Sequence, residues 1–102
     1  MAISNTVLST SGNVIYTSVG NSVVSVMYFC NVDATAKDLN VYAVPDGGTV
    51  ANSTQIYKDV QIASGDTFVV DMEKLVLADG DTIQATASSD DVITATVSYV
   101  GI

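Results

Sequence analysis

Turn-forming residues punctuate this 102-residue chain about every 8–12 residues, and the stretches between them are rich in Val, Ile, Thr and Tyr. That spacing admits strands and leaves almost no room for helices. Only Asp71-Met72-Glu73-Lys74-Leu75-Val76-Leu77 carries any helical periodicity, and it predicts at most a short turn of helix. Strands are expected over Ala2–Leu8, Asn13–Ser18, Ser22–Val32, Leu39–Val44, Gln55–Ile62, Thr67–Asp71, Thr82–Ser88 and Val92–Val100. The segment Pro45-Asp46-Gly47-Gly48 is the strongest turn signal of the set. The expected fold is all-β: one antiparallel β-sandwich domain over residues 1–102, with about eight strands. A jelly roll and an immunoglobulin-like arrangement are both compatible with the pattern.

Alternation within the strands says which side is covered. In the last strand Ile93, Ala95, Val97 and Tyr99 share one face and Thr94, Thr96 and Ser98 the other. In the strand before it, Ile83, Ala85 and Ala87 oppose Thr82, Gln84, Thr86 and Ser88. Both read as strands of a sheet with one face in the core and one in solvent. The third strand is different. Strict alternation puts Val24, Val26, Tyr28 and Cys30 on one side and Met27 and Phe29 on the other, so it is apolar on both. Such a strand is either covered twice or turns one apolar face toward another chain. In Leu39–Val44, alternation groups Leu39, Val41 and Ala43 and leaves Tyr42 beside Val44. A protein-contact surface is therefore expected around Met27, Phe29, Tyr42 and Val44, with the tyrosines otherwise serving as packing residues.

Composition removes several functional classes. Eleven carboxylates, all Asp except Glu73, face three lysines, with no Arg and no His, for a net charge of −8. Binding nucleic acid requires cations that displace phosphate counterions. Lys37, Lys58 and Lys74 are too few and too scattered for that, or for an anionic membrane surface. Without His, the usual Ser and Cys triads lack their base. Without Arg there is no bidentate phosphate clamp, and Gly47-Gly48 lacks the Lys-Ser/Thr of a phosphate loop. Cys30 is the only cysteine, which rules out an intrachain disulfide and a zinc cluster and reads as a small buried hydrophobe. The expectation is a chain with no enzymatic activity, no cofactor and no small-molecule substrate. The first residues show no secretory leader, and the apolar runs fall well short of the roughly 20 residues that span a bilayer.

Two carboxylate pairs remain, Asp79 with Asp81 and Asp90 with Asp91. All four lie in expected turns, where Asp accepts hydrogen bonds from nearby backbone amides. A glycosidase-type acid and base pair is the sharper alternative. Counted as a calcium loop, Asp79 to Asp90 has acids at the first, third and twelfth places, but Ile83 and Gln84 stand where a ligand and a glycine are needed. Calcium held between loops, or carbohydrate bound on the sandwich, stays open as an alternative function.

The segments Val14-Ile15-Tyr16-Thr17-Ser18, Met27-Tyr28-Phe29-Cys30-Asn31 and Asn40-Val41-Tyr42-Ala43-Val44-Pro45 resemble small virion proteins of tailed phages, especially those that infect cyanobacteria. So do Gln55-Ile56-Tyr57-Lys58, Asp79-Gly80-Asp81-Thr82-Ile83 and Val97-Ser98-Tyr99-Val100-Gly101-Ile102. The resemblance implies a β-sandwich in the virion, made in the host cytoplasm and placed on the outer capsid surface as a decoration, or cement, protein. Its implied partners are the major capsid protein and copies of itself, as a homotrimer clamped over junctions between shell subunits. A tail, baseplate or fibre module is the alternative that the same resemblance carries.

Overall fold

Nine strands form in the computed structural model, which describes residues 2–71 and 74–102. They are β1 (Ala2–Val7), β2 (Asn13–Thr17), β3 (Ser22–Asn31), β4 (Lys37–Val44), β5 (Gln55–Ile62), β6 (Thr67–Val70), β7 (Leu75–Leu77), β8 (Thr82–Ala87) and β9 (Ile93–Gly101). A single 3₁₀ turn, Asn52–Thr54, precedes β5. The expected strands recur with ends shifted by one or two residues. The exception is Asp71–Leu77: its last three residues form β7 rather than helix, and Met72 and Glu73 lie outside the described residues.

All pairings are antiparallel and build two sheets. One runs β1-β9-β3-β6, with β7 also paired to β3; the other runs β2-β8-β4-β5. With β6 and β7 counted as one interrupted strand, the partners are first with last, second with next to last, third with sixth, and fourth with fifth. That is a long hairpin wrapped over on itself, the jelly-roll order. It resolves the choice between jelly roll and immunoglobulin-like topology in favour of the first.

The core lies between the sheets and follows the alternation. Ile93, Ala95 and Val97 of β9 pack toward Ile83, Ala85 and Ala87 of β8, with Leu39 and Val41 of β4 beside them. Aromatic rings fill the wider parts. Tyr16 and Tyr99 have ring centroids 4.2 Å apart, and Tyr57 meets Phe68 edge-on at 5.3 Å.

Buried polar groups are satisfied by short chains of hydrogen bonds. The Tyr16 hydroxyl donates to Ser22 Oγ (2.9 Å), Ser22 and Ser18 share a bond of 2.7 Å, and Ser18 Oγ donates to the Gly20 carbonyl (2.7 Å). Asn31, fully buried at the end of β3, donates to the Thr35 and Ile62 carbonyls and accepts from the Asp33 N–H. It ties the β3–β4 turn to the end of β5. A buried carbonyl left without such a donor costs about 1–3 kcal/mol.

Candidate interaction surface

A β-bulge in β3 decides what this molecule shows to its surroundings. Val24 pairs with Tyr99 and Val26 with Ser98, so Ser25 is an extra residue without a place in the ladder. Its hydroxyl donates to the Ser98 carbonyl at 3.0 Å, which holds the bulge. One inserted residue reverses the phase of everything after it. Val24 faces the core before the bulge, and Met27, Phe29 and Asn31 face it afterwards.

This corrects the expected contact surface. Met27 (1% exposed), Phe29 (0%) and Val44 (4%) are core residues, not surface ones. Val44 is covered where the chain turns back at Pro45–Gly48, a turn closed by the Gly48 N–H on the Pro45 carbonyl. Tyr42 alone of the four reaches the outside, half-buried and paired with Gln84 and Gln55 on the opposite sheet. The four residues do not come together on any surface. The same bulge turns Cys30 outward, where it is half-buried between Thr94 and Thr67 instead of lying in the core.

The face that the bulge creates is the outer face of the five-stranded sheet. Tyr28 and Val26 of β3 lie beside Thr96 and Ser98 of β9, which lie beside Asn5 and Ile3 of β1. On the other side Tyr28 meets Val69 of β6, and Val23 meets Val76 of β7. Ile3, Val7, Tyr28, Val69 and Val76 are all between 41% and 69% exposed. Not one residue of β1, β3, β6, β7 or β9 is Asp, Glu, Lys or Arg. Among the described residues, the acidic side chains belong to the turns and to β4 and β5. Isolated exposed apolar residues are ordinary, but a run across adjacent strands with no charge marks a contact surface. The signal was present in the sequence as β strands without a charged residue, but the bulge hid which side chains faced out.

The carboxylates that chemistry would require are engaged in turns. Asp79 accepts the Gly20 N–H at 2.7 Å, and Asp90 accepts the Thr10 N–H at 2.8 Å. Asp81 accepts from the Asp46 and Ala78 N–H groups, both at 2.9 Å. The Asp81–Ala78 bond is the local contact that the turn reading expects, whereas Asp79 and Asp90 fasten their turns to segments distant in sequence. Among the described residues, no group of three His, Cys, Asp or Glu side chains is placed to hold a metal ion. The Asp33 carboxyl is held below its ordinary value by bonds from the Thr35 hydroxyl and the Ala34 N–H, with Lys37 at 3.4 Å.

An apolar groove of ≈ 260 Å³ opens between the sheets at the β5 and β7 side, lined by Met27, Ile56, Tyr57, Val70 and Leu75. Among the described residues, its lining is apolar but for the Tyr57 hydroxyl and offers no convergent set of polar groups of the kind that orients a small ligand. Compared with known proteins, the chain matches no family model, no curated sequence and no solved structure.

Proposed function

We propose that this chain is a non-enzymatic structural protein of a tailed-phage particle, a decoration protein that docks on the major capsid protein through the outer face of its five-stranded sheet. The observation that carries the reading is the exposed face centred on Tyr28 and Val69, whose strands contain no charged residue, with Lys74 bonded to the Ser25 carbonyl where β6 gives way to β7. Covering side chains that are already half-exposed contributes about 1 kcal/mol each. Such a gain is modest for one copy and large for a shell that repeats the contact over every subunit. The acidic turns and the polar four-stranded sheet would then face solvent, where negative charge keeps particles apart and does not attract genome. The jelly-roll order agrees with this use, since viral capsid domains are among those built on it, although lectins share it and fold alone does not assign function. The resemblance to small phage virion proteins supplies the setting.

The copy number of the chain in purified particles, relative to the shell protein, tests the proposal. About one copy per shell subunit is the expected result. A few copies per hundred subunits would move the protein to the tail or baseplate, and absence from particles would overturn the virion reading.

A further inference from the structure

The two sheets have four edge strands, and three of them carry devices that stop them from pairing further. Strand β2 is bulged between Val14 and Tyr16. Strand β5 has two register shifts, a lysine at Lys58 and a left-handed backbone at Asp59 (φ 51°). The opposite edge of the five-stranded sheet is split into β6 and β7, four and three residues long. Strand β1 has none of these. It is six residues in unbroken register with β9, with no charge, no proline and no bulge.

The direction of its free groups follows from one hydrogen bond. The Leu8 N–H donates to the Ile93 carbonyl at 2.9 Å, directly after the Val7–Thr94 pair. Antiparallel pairs alternate between bonded and non-bonded. Thr6 and Ser4 therefore bond to β9, while Ile3, Asn5 and Val7 turn their N–H and C=O groups to the open edge. The side chains of these same three residues stand on the outer face.

The geometry points to β1 as a self-pairing edge that joins two copies of this chain, β1 against β1 antiparallel, with Asn5 opposite Asn5 on a twofold axis. In that register Ile3 lies opposite Val7 of the second copy, and every outward N–H and C=O of the three residues meets a partner. Aliphatic side chains face aliphatic ones and amide faces amide, the pairing that stabilises antiparallel neighbours. Sliding the register by two residues sets Asn5 against Ile3 or Val7 and loses this match. Two copies each carrying −8 repel, and β1 with its neighbours β9 and β3 offers an approach free of charged residues. The contact is isologous and closes at two, unlike the threefold assembly that the family resemblance implies. It stands whether or not the chain is found on particles.

The test is sedimentation of the intact chain across a concentration series, with amide exchange followed residue by residue. The expected mass is twice 10.6 kDa at high concentration, with the Ile3, Asn5 and Val7 amides gaining protection as the dimer forms while Ser4 and Thr6 stay unchanged. Asn5→Pro removes an edge donor without touching a backbone bond to β9, and Asn5→Lys sets like charges opposite each other; both give up the exposed Asn5–Thr96 side-chain bond and should sediment as monomers with near-wild-type melting. If Asn5→Pro fails to fold, Asn5→Lys still reads the interface. A chain that is monomeric throughout or trimeric, or variants that dimerise like wild type, would overturn the inference.

Discussion

The two outer faces of this sandwich are built on the same alternation and end up chemically opposite. On the four-stranded sheet the outward residues are mostly polar: Thr82, Gln84 and Thr86 of β8 and Asp38, Asn40 and Tyr42 of β4, with Val14 of β2 exposed beside Gln84. Their amides bond to one another and to the backbone: Gln55 donates to Asn40 Oδ1 at 2.8 Å, the Asp59 N–H donates to the same oxygen at 3.0 Å, and Gln84 donates to Thr82. That face is finished, with its polar groups paired at the surface. On the five-stranded sheet the outward residues are neutral, with Ile3, Val7, Tyr28, Val69 and Val76 exposed, and polar pairs at Asn5–Thr96 and Ser25–Ser98. Exposed apolar residues that run across adjacent strands are a feature of contact surfaces. Under the proposed docking, the partner meets the five-stranded side, and solvent meets the other side and the turns.

This comparison can be broken most sharply inside β3, where neighbouring residues face opposite ways. Phe29→Ala should lower stability by about 3–5 kcal/mol, visible as a large drop in denaturant midpoint, whereas Tyr28→Lys should stay within about 0.5 kcal/mol of wild type. Equal losses would mean that the bulge at Ser25 does not set the faces. Next in size, Asn31→Ala should cost about 2–3 kcal/mol, because the buried Ile62 carbonyl loses its donor. Tyr16→Phe should cost about 1 kcal/mol by removing the first donor of the Tyr16–Ser22–Ser18 chain. The smallest effect belongs to Asp33. Its carboxyl is held below the usual value near 3.8, first by the Thr35 hydroxyl, then by the Ala34 amide and Lys37. A depressed folded-state value stabilises the fold above the unfolded value, and that contribution is lost as pH falls through the folded one. Asp33→Asn should lower the melting temperature slightly at neutral pH, where the ionised carboxyl contributes, and the difference should vanish as pH falls through the folded value, which flattens the acid limb.

Most of the strands were legible in the sequence, because turn chemistry and period-two alternation act locally. The inward faces of β8 and β9 follow directly from that alternation: Ile83, Ala85, Ala87, Ile93, Ala95 and Val97 are all buried. What alternation could not supply was the phase of β3. A bulge is a backbone event, and serine at position 25 is no signature of one. The apolar residues on both sides of β3 were the trace it left, since Val24 and Met27 are three apart and both buried. Read as strict alternation, that trace placed Met27 and Phe29 outside. Val44 was misplaced for another reason: the fold of the Pro45–Gly48 turn over the strand end is a tertiary feature. The strand order was also out of reach, since jelly-roll pairing joins segments from opposite ends of the chain. Leu75–Leu77 is too short to declare itself as a strand and exists by pairing with Ser22–Val24.

The central claim is that the uncharged face, and not the polar one, carries the partner. Incorporation of two matched variants into assembling particles tests it most directly: Val69→Lys on the five-stranded face and Gln84→Lys on the four-stranded face, each first checked for wild-type melting. The account predicts that particles lose the Val69→Lys chain and retain Gln84→Lys at the wild-type copy number. Retention of Val69→Lys, or equal loss of both, would contradict it.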